Sequence, residues 1–419
     1  MATHRYDPDT RRRQRAVYRR RRTMVFGVGG LGLLILVYLI GVVIAPLPSA
    51  NLVHASVKSA STSAANLQWP DGAQAAVMAP DYPQVASSAG GTSAVPIASI
   101  TKVVTALVVL DRKPIAAGQS GPSLTFTEND VDIWNEVVAD GGSWAPVVAG
   151  TSMTERQALA AMLVPSGSNY AISLANWAFG STSAYVSAAK SWLAKHGLSG
   201  TTIVSPDGLD PGNESTTKDL LRLGQMVLAS PVLVSIVSEK ATENLPGAGV
   251  QQNTNQLLGV DGIDGIKTGN TDPAGYCLLF SARLSVGTSS VRIVGVVLGA
   301  PDITTLWSDV STLVTSVRSG FHDVTLTEKG HVFGSYTTPW GAHSSLVAAS
   351  SEHLIVWSRN DITSRIAAHP LVTGTAGTSF GTVTFTVGST TKSIPLVLES
   401  TVPGPSFLWR LAHPYGFGA

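Results

Sequence analysis

Ser99-Ile100-Thr101-Lys102 opens the apolar run Val103-Val104-Thr105-Ala106-Leu107-Val108-Val109-Leu110. The run ends at the polar Asp111-Arg112-Lys113-Pro114, which predicts a buried helix with Ser99 in its first turn. Residues three apart share a helical face, so Lys102 lies within reach of the Ser99 hydroxyl. A desolvated, neutral lysine can take that proton and turn a weak nucleophile into an active one. Taken alone, the spacing suits equally a serine cap followed by a solvated cation. What lies on either side decides between the two.

On the N-terminal side, residues 1–23 hold nine arginines against Asp7 and Asp9, a net charge of +7. The whole chain of 419 residues totals +1, so the remainder carries −6. A basic tail suits nucleic acid or the cytoplasmic flank of a membrane span. Met24 to Ala45, 22 residues without a charge, decides for the span. A cleaved signal peptide is the alternative, with Val53-His54-Ala55 its best cleavage site. The apolar segment exceeds the usual ~7–15-residue h-region, so an uncleaved anchor with the rest of the chain outside the cell is expected, and no nucleic-acid partner. Residues 46–69, rich in Pro, Ala, Ser and Thr, read as a linker.

From Trp69 the pattern is globular. Residues 71–79 read as a strand, Asp81-Tyr82-Pro83 as a turn, and 114–150 as turn-rich. Ser152-Met153-Thr154-Glu155 has capping-box spacing ahead of a helix stopped by Pro165. Ser166-Gly167-Ser168-Asn169 then forms a short loop before a helix over 170–179. Further helices are expected over 181–196, 217–228 and 302–317, the last with Pro301 in its first turn. Gly262–Gly269, Ala274–Ala282 and Val291–Leu298 read as antiparallel strands, with Asn270-Thr271-Asp272-Pro273 as a turn. Beyond Gly320 short strands dominate, ending in a loose tail over 415–419. The expected organisation is a basic tail (1–23), an anchor (24–45), a linker (46–69), an α+β domain (70–318) in which helices flank an antiparallel sheet, and a small all-β domain (319–419). The lone Cys277, in Tyr276-Cys277-Leu278-Leu279-Phe280, precludes an internal disulfide and reads as a buried thiol.

Three motifs occur in one order: Ser99-x-x-Lys102, Ser166-Gly167-Ser168 and Lys267-Thr268-Gly269. This is the S-x-x-K, S-D-N, K-T-G set of serine β-lactamases and penicillin-binding proteins. With its flanks Pro96-Ile97-Ala98, Gly208-Leu209, Thr216-Thr217-Lys218-Asp219-Leu220 and Asn270-Thr271-Asp272-Pro273-Ala274-Gly275-Tyr276, the chain resembles the low-molecular-mass serine D-alanyl-D-alanine carboxypeptidases over about residues 70–300. The resemblance implies a β-lactamase/DD-peptidase-like fold and removal of D-Ala from peptidoglycan stems through an acyl-enzyme. Ser99 would be the nucleophile, Lys102 its base and Ser166 a proton relay. Ser168, Lys267, Thr268, Gly269 and Asn270 would bind the substrate, with the backbone N–H groups of Ser99 and Asn270 as the oxyanion hole. It further implies covalent inhibition by β-lactams and no cofactor or metal.

The middle motif departs from the family, whose third residue is Asn. Either Ser168 does that work or Asn169 reaches in by a shifted loop. A class A β-lactamase needs a deacylating glutamate, and none occurs between Gln157 and Asn213; Glu214 sits at a helix entry. The nine histidines form no zinc-binding spacing. A non-catalytic peptidoglycan-binding protein of the same fold, or a DD-endopeptidase, remains the alternative.

Overall fold

The computed structural model describes residues 8–55, 60–116 and 118–414. The chain divides into two compact units. One holds Thr62–Asp323 with Ile355–Asn360; the other holds the residues up to Ser61, Val324–Leu354 and Asp361–Ala419. Helix α1, Pro8–Ile44, begins the second unit and runs the arginine-rich tail and the uncharged segment together. It is long and apolar enough to cross a membrane. The expected tail at 415–419 lies outside the described residues.

The first unit is built on a five-stranded antiparallel sheet. Its strands are β1 (Gln74–Ala79), β2 (Tyr82–Ala89), β3 (Ile263–Thr271), β4 (Gly275–Val286) and β5 (Ser289–Ala300), in the spatial order β2-β1-β5-β4-β3. The middle strands are apolar on both faces because both faces are covered. Cys277 and Leu279 of β4, with Val294, Val296 and Leu298 of β5, face one core. Leu278, Phe280, Ala282, Ile293 and Val297 face the other.

The first core is helical. It contains α2 (Thr101–Arg112), α4 (Glu155–Leu163), α5 (Ser168–Phe179), α6 (Thr182–Lys195), α7 (Thr217–Leu228) and α8 (Pro231–Val237), with α3 (Glu128–Ala139) alongside. Helix α2 buries Val103, Val104, Ala106, Val108 and Val109, nearly its whole circumference, and so runs through the middle. Fully burying each such side chain is worth about 1.5–3 kcal/mol. The second core is covered by α9 (Ile303–Ser319), whose Leu306, Val310, Leu313, Val314 and Val317 recur at helical spacing.

Several local expectations differ from the structure. The segment 114–150 contains α3, whose capping box joins Thr127 and Asp130; the flanking glycines mask its short period. The box at the start of α4 uses Thr154 and Gln157, because Ser152–Thr154 is extended and pairs with Ser123–Thr125. Tyr82 and Pro83 begin β2 rather than a turn. Strand β3 runs on to Thr271, so Asn270 is still in the sheet. Asp302, not Pro301, starts α9: its carboxylate accepts from Thr305 N at 2.8 Å.

In the other unit the strands Val53–His54, Val332–Thr337, His343–Ala348, Thr390–Leu398, Ser379–Val387, Asp361–Ala368 and Ala60–Ser61 form one sheet in that order. The segment 46–69 therefore supplies both edge strands of this sheet. Phe333, Leu346, Val383, Phe385, Ile394 and Leu396 fill its buried face. Among the described residues, one helix interrupts the all-β pattern expected beyond residue 320: α10, Phe407–Ala412.

Candidate active site

Three elements meet at one cleft of about 770 Å³, lined among others by Ser99, Ser166, Thr254, Thr268, Gly269 and Asn270. Ser99 sits in a 3-10 turn, Ala98–Ile100, that feeds α2. Ala98 before it has φ +45° and Ser166 has φ +68°. Left-handed backbone at residues other than glycine is strained and collects at functional sites.

Strand β3 passes tightly beside the Ser99 turn. A Cβ on Gly269 would lie 2.8 Å from the Ile97 carbonyl and 3.2 Å from Ser99 N, which is why the third residue of Lys267-Thr268-Gly269 has no side chain. The loop at Asp207-Gly208 closes from the other side. Gly208, at φ +85°, leaves room where a Cβ would be 2.0 Å from the Ala98 carbonyl.

Lys102 is fully buried. Its Nζ lies 2.8 Å from Ser99 Oγ, 3.1 Å from Ser168 Oγ and 2.7 Å from the Asp207 carbonyl. Burial pulls its pKa down to about 8, against the charge of Asp207. A neutral amine has two N–H bonds and one lone pair. Donating to Ser168 Oγ and Asp207 O uses both N–H bonds and turns the lone pair toward the Ser99 hydroxyl. The geometry thus suits proton abstraction from Ser99.

The carbonyl of Asp207 is the part of this arrangement that the sequence reading missed. It is held out by a polar scaffold. Buried Asn213 accepts from Val204 N and Ser205 N through Oδ1 and donates to Ser205 Oγ. Thr105, one turn beyond Lys102, donates to the Pro206 carbonyl at 2.6 Å. Ser205-Pro206-Asp207-Gly208 was readable only as a turn.

Ser166, on the loop between α4 and α5, faces the cleft as expected. Ser168 does not line the cleft: it has no exposed surface, and its hydroxyl accepts from Lys102. Its position at the start of α5 puts it under Lys102, with its hydroxyl 3.1 Å from Nζ. Asn169 is also out of reach. It donates to the Ala145 carbonyl at 2.9 Å and accepts from Ala145 N at 3.2 Å, so the loop is not shifted.

Lys267 is buried, with Nζ 3.1 Å from the Thr268 carbonyl. Burial first, and the nearby Lys102 second, hold its pKa well below the ordinary lysine range. Thr254 is a further residue that the sequence did not signal. Its hydroxyl is 2.6 Å from that of Thr268, and its N–H donates to the Val164 carbonyl at 3.1 Å. It ties β3 to the base of the Ser166 loop. Cys277 is buried, and burial pushes its thiol up to about 11. Among the described residues no group of His, Cys, Asp and Glu could hold a metal.

A fold with a central antiparallel sheet between helical layers, and a buried Ser–Lys pair in its cleft, defines a serine DD-peptidase-like protein. The family description "D-alanyl-D-alanine carboxypeptidase" matches residues 68–302, and the chain belongs to that family. It is a serine-type D-Ala-D-Ala carboxypeptidase by class. A D-alanyl-D-alanine carboxypeptidase of a Streptomyces species is 30% identical over 234 residues, 52% of this chain and 76% of that protein. The carboxypeptidase DacA of Escherichia coli is 33% identical over 218 residues, 48% of this chain and only 49% of that relative. The crystal structure of a Streptomyces DD-transpeptidase is similar at 26% identity and a TM-score of 0.51, over 61% of this chain and 97% of that one. Penicillin-binding protein 5 of Haemophilus influenzae shares the fold, with a TM-score of 0.54 at 21% identity over 80% and 98% of the two chains.

Proposed function

We propose that this protein removes the terminal D-Ala from peptidoglycan stem pentapeptides. The observation that carries the reading is Lys102 Nζ, buried and 2.8 Å from Ser99 Oγ. Lys102 takes the hydroxyl proton as Ser99 Oγ attacks the penultimate D-Ala carbonyl. The N–H groups of Ser99 and Asn270 stabilise the oxyanion, where losing one such donor costs about 10²–10³-fold in other enzymes. Ser166 passes the proton to the departing D-Ala amine. Water then attacks the ester, with Lys102 again the base. Lys267, Thr268 and Gly269 hold the substrate's C-terminal end, and Ser168 positions Lys102 without meeting substrate. β-Lactams acylate Ser99 by the same first step.

In this reading residues 24–45 anchor the chain, 46–69 link it to the peptidase domain at 70–318, and the catalytic unit lies outside the cytoplasm. The test uses the detergent-solubilised full chain with a pentapeptide stem and a fluorescent penicillin. Released D-Ala and a covalent adduct are expected, both lost in Ser99→Ala. An unlabelled, inactive parent would mean a binding protein of this fold, and an adduct that persists in Ser99→Ala would mean another nucleophile.

A further inference from the structure

The carbonyl of Asp207 receives Lys102 Nζ at 2.7 Å, while the carboxylate of the same residue bonds elsewhere. Its Oδ1 accepts from Ser205 Oγ at 2.7 Å and from Leu209 N at 3.4 Å. Asp207 is 5% exposed. Among the described residues its carboxylate forms no ion pair. Burying a charge among neutral partners is costly. Asparagine would offer the same acceptor to Ser205 and Leu209, so the turn itself needs no charge there.

The charge has a use in what surrounds it. Lys102 from α2 and Lys267 from β3 are both buried. Burial lowers the pKa of each, and Lys102 lowers that of Lys267 further. The charge of Asp207 opposes the fall at Lys102. Tyr185 of α6 is the remaining titratable neighbour. Its hydroxyl lies 2.8 Å from that of Thr105, which donates to the Pro206 carbonyl. Burial foremost, and the Asp207 charge as a lesser cause, raise its phenol, so it stays neutral. Ser166 and Ser168 bring no charge. When Ser99 attacks, its proton passes to Lys102 Nζ, the Oγ–C bond forms and the carbonyl pair moves onto oxygen. The amine thereby becomes an ammonium in a site that disfavours cations.

We propose that the Asp207 carboxylate is a positioning residue that stabilises this ammonium through space, so that one residue supplies both the carbonyl that aims the base and the charge that strengthens it. This rests on reading Lys102 as the base, and the experiment separates the two. Penicillin acylation of the detergent-solubilised full chain is followed by stopped flow from pH 5.5 to 10, for the parent, Asp207→Asn, Asp207→Ser and Asp207→Glu. The two neutral variants should titrate about one pH unit below the parent and reach a lower plateau. Their profiles should cross that of the parent, because a weaker base is free at lower pH but takes the proton more slowly. Asp207→Glu, which keeps the charge, should hold the parent's midpoint. Neutral variants that lose rate by one factor at every pH, with the midpoint unmoved, would show a purely structural residue and overturn the proposal. A parent profile flat across pH 8 overturns Lys102 as the base and the proposal with it.

Discussion

As the proposed base, Lys102 works only as a free amine, and a pKa that burial draws down to about 8 sets the expected pH dependence. Below that value the ammonium dominates, so acylation of Ser99 should fall about tenfold per pH unit, and it should level off above. A stopped-flow penicillin acylation profile between pH 6 and 10 tests this; a profile flat across pH 8 would remove Lys102 as the base. Ser168 accepts one of the two N–H bonds that aim the lone pair. Ser168→Ala should therefore slow acylation by up to about tenfold, the worth of one neutral hydrogen bond, and Ser168→Asn, which keeps an acceptor, should recover most of it. Ser166→Ala should cost far more in D-Ala release, about 10²–10⁴-fold for a lost proton relay. Equal damage from Ser166→Ala and Ser168→Ala would refute this division of roles. Glu155 is a separate case, buried at the start of α4 with neither carboxylate oxygen partnered. Burial raises its pKa from 4.5 to about 7, against the pull of Lys113. The folded state prefers its protonated form, so the stability this gives is full below pH 4.5 and is lost as pH rises through 7. Glu155→Gln should raise the melting temperature at pH 8 and leave it nearly unchanged at pH 4.5.

At the scale of elements, the site depends on backbone that approaches too closely for side chains. Gly269→Ala would press a methyl on the Ile97 carbonyl, and Gly208→Ala would overlap the Ala98 carbonyl outright at a left-handed φ. Overpacking of this kind costs about 1–3 kcal/mol. Both variants should lower penicillin acylation, Gly208→Ala more severely, with melting temperatures reduced in the same order; normal acylation in Gly208→Ala would show that the loop is not needed for the geometry of Lys102. These approaches explain what the sequence could reveal. Helices α2 and α7, with strands β4 and β5, were legible because apolar periodicity survives in a single stretch of chain. Ser99 and Lys102 were legible because three residues of helix bring them together. The Asp207 carbonyl and the Thr254 hydroxyl were not: 105 residues separate Asp207 from Lys102, and a backbone carbonyl leaves no mark on residue type. The place of Ser168 under Lys102 was not legible for a related reason. Its position in the motif was readable, but which side of the cleft floor it faces depends on how α5 packs beneath α2.

At the scale of the whole molecule, charge and hydropathy are sorted along the chain. Nine arginines precede the uncharged segment of α1, and the remainder is net negative. Basic residues resist transfer across a bilayer, so the proposed topology keeps the tail in the cytoplasm and puts both folded units on the side where peptidoglycan lies. Protease added to intact protoplasts should abolish D-Ala release and leave a small membrane-bound fragment containing α1, its tail still reactive with an antibody only after lysis. Reversing the bias, by replacing Arg19, Arg20, Arg21 and Arg22 with glutamine and adding lysines after Ala45, should leave a fraction of the chains inverted, with their catalytic unit protected. The flanks must act together for this, because long folded domains translocate largely regardless of their own charge. Protection of the parent's catalytic unit in intact protoplasts would place Ser99 on the wrong side of the membrane for peptidoglycan, and the cell-wall assignment would fall even with the Ser99–Lys102 chemistry intact.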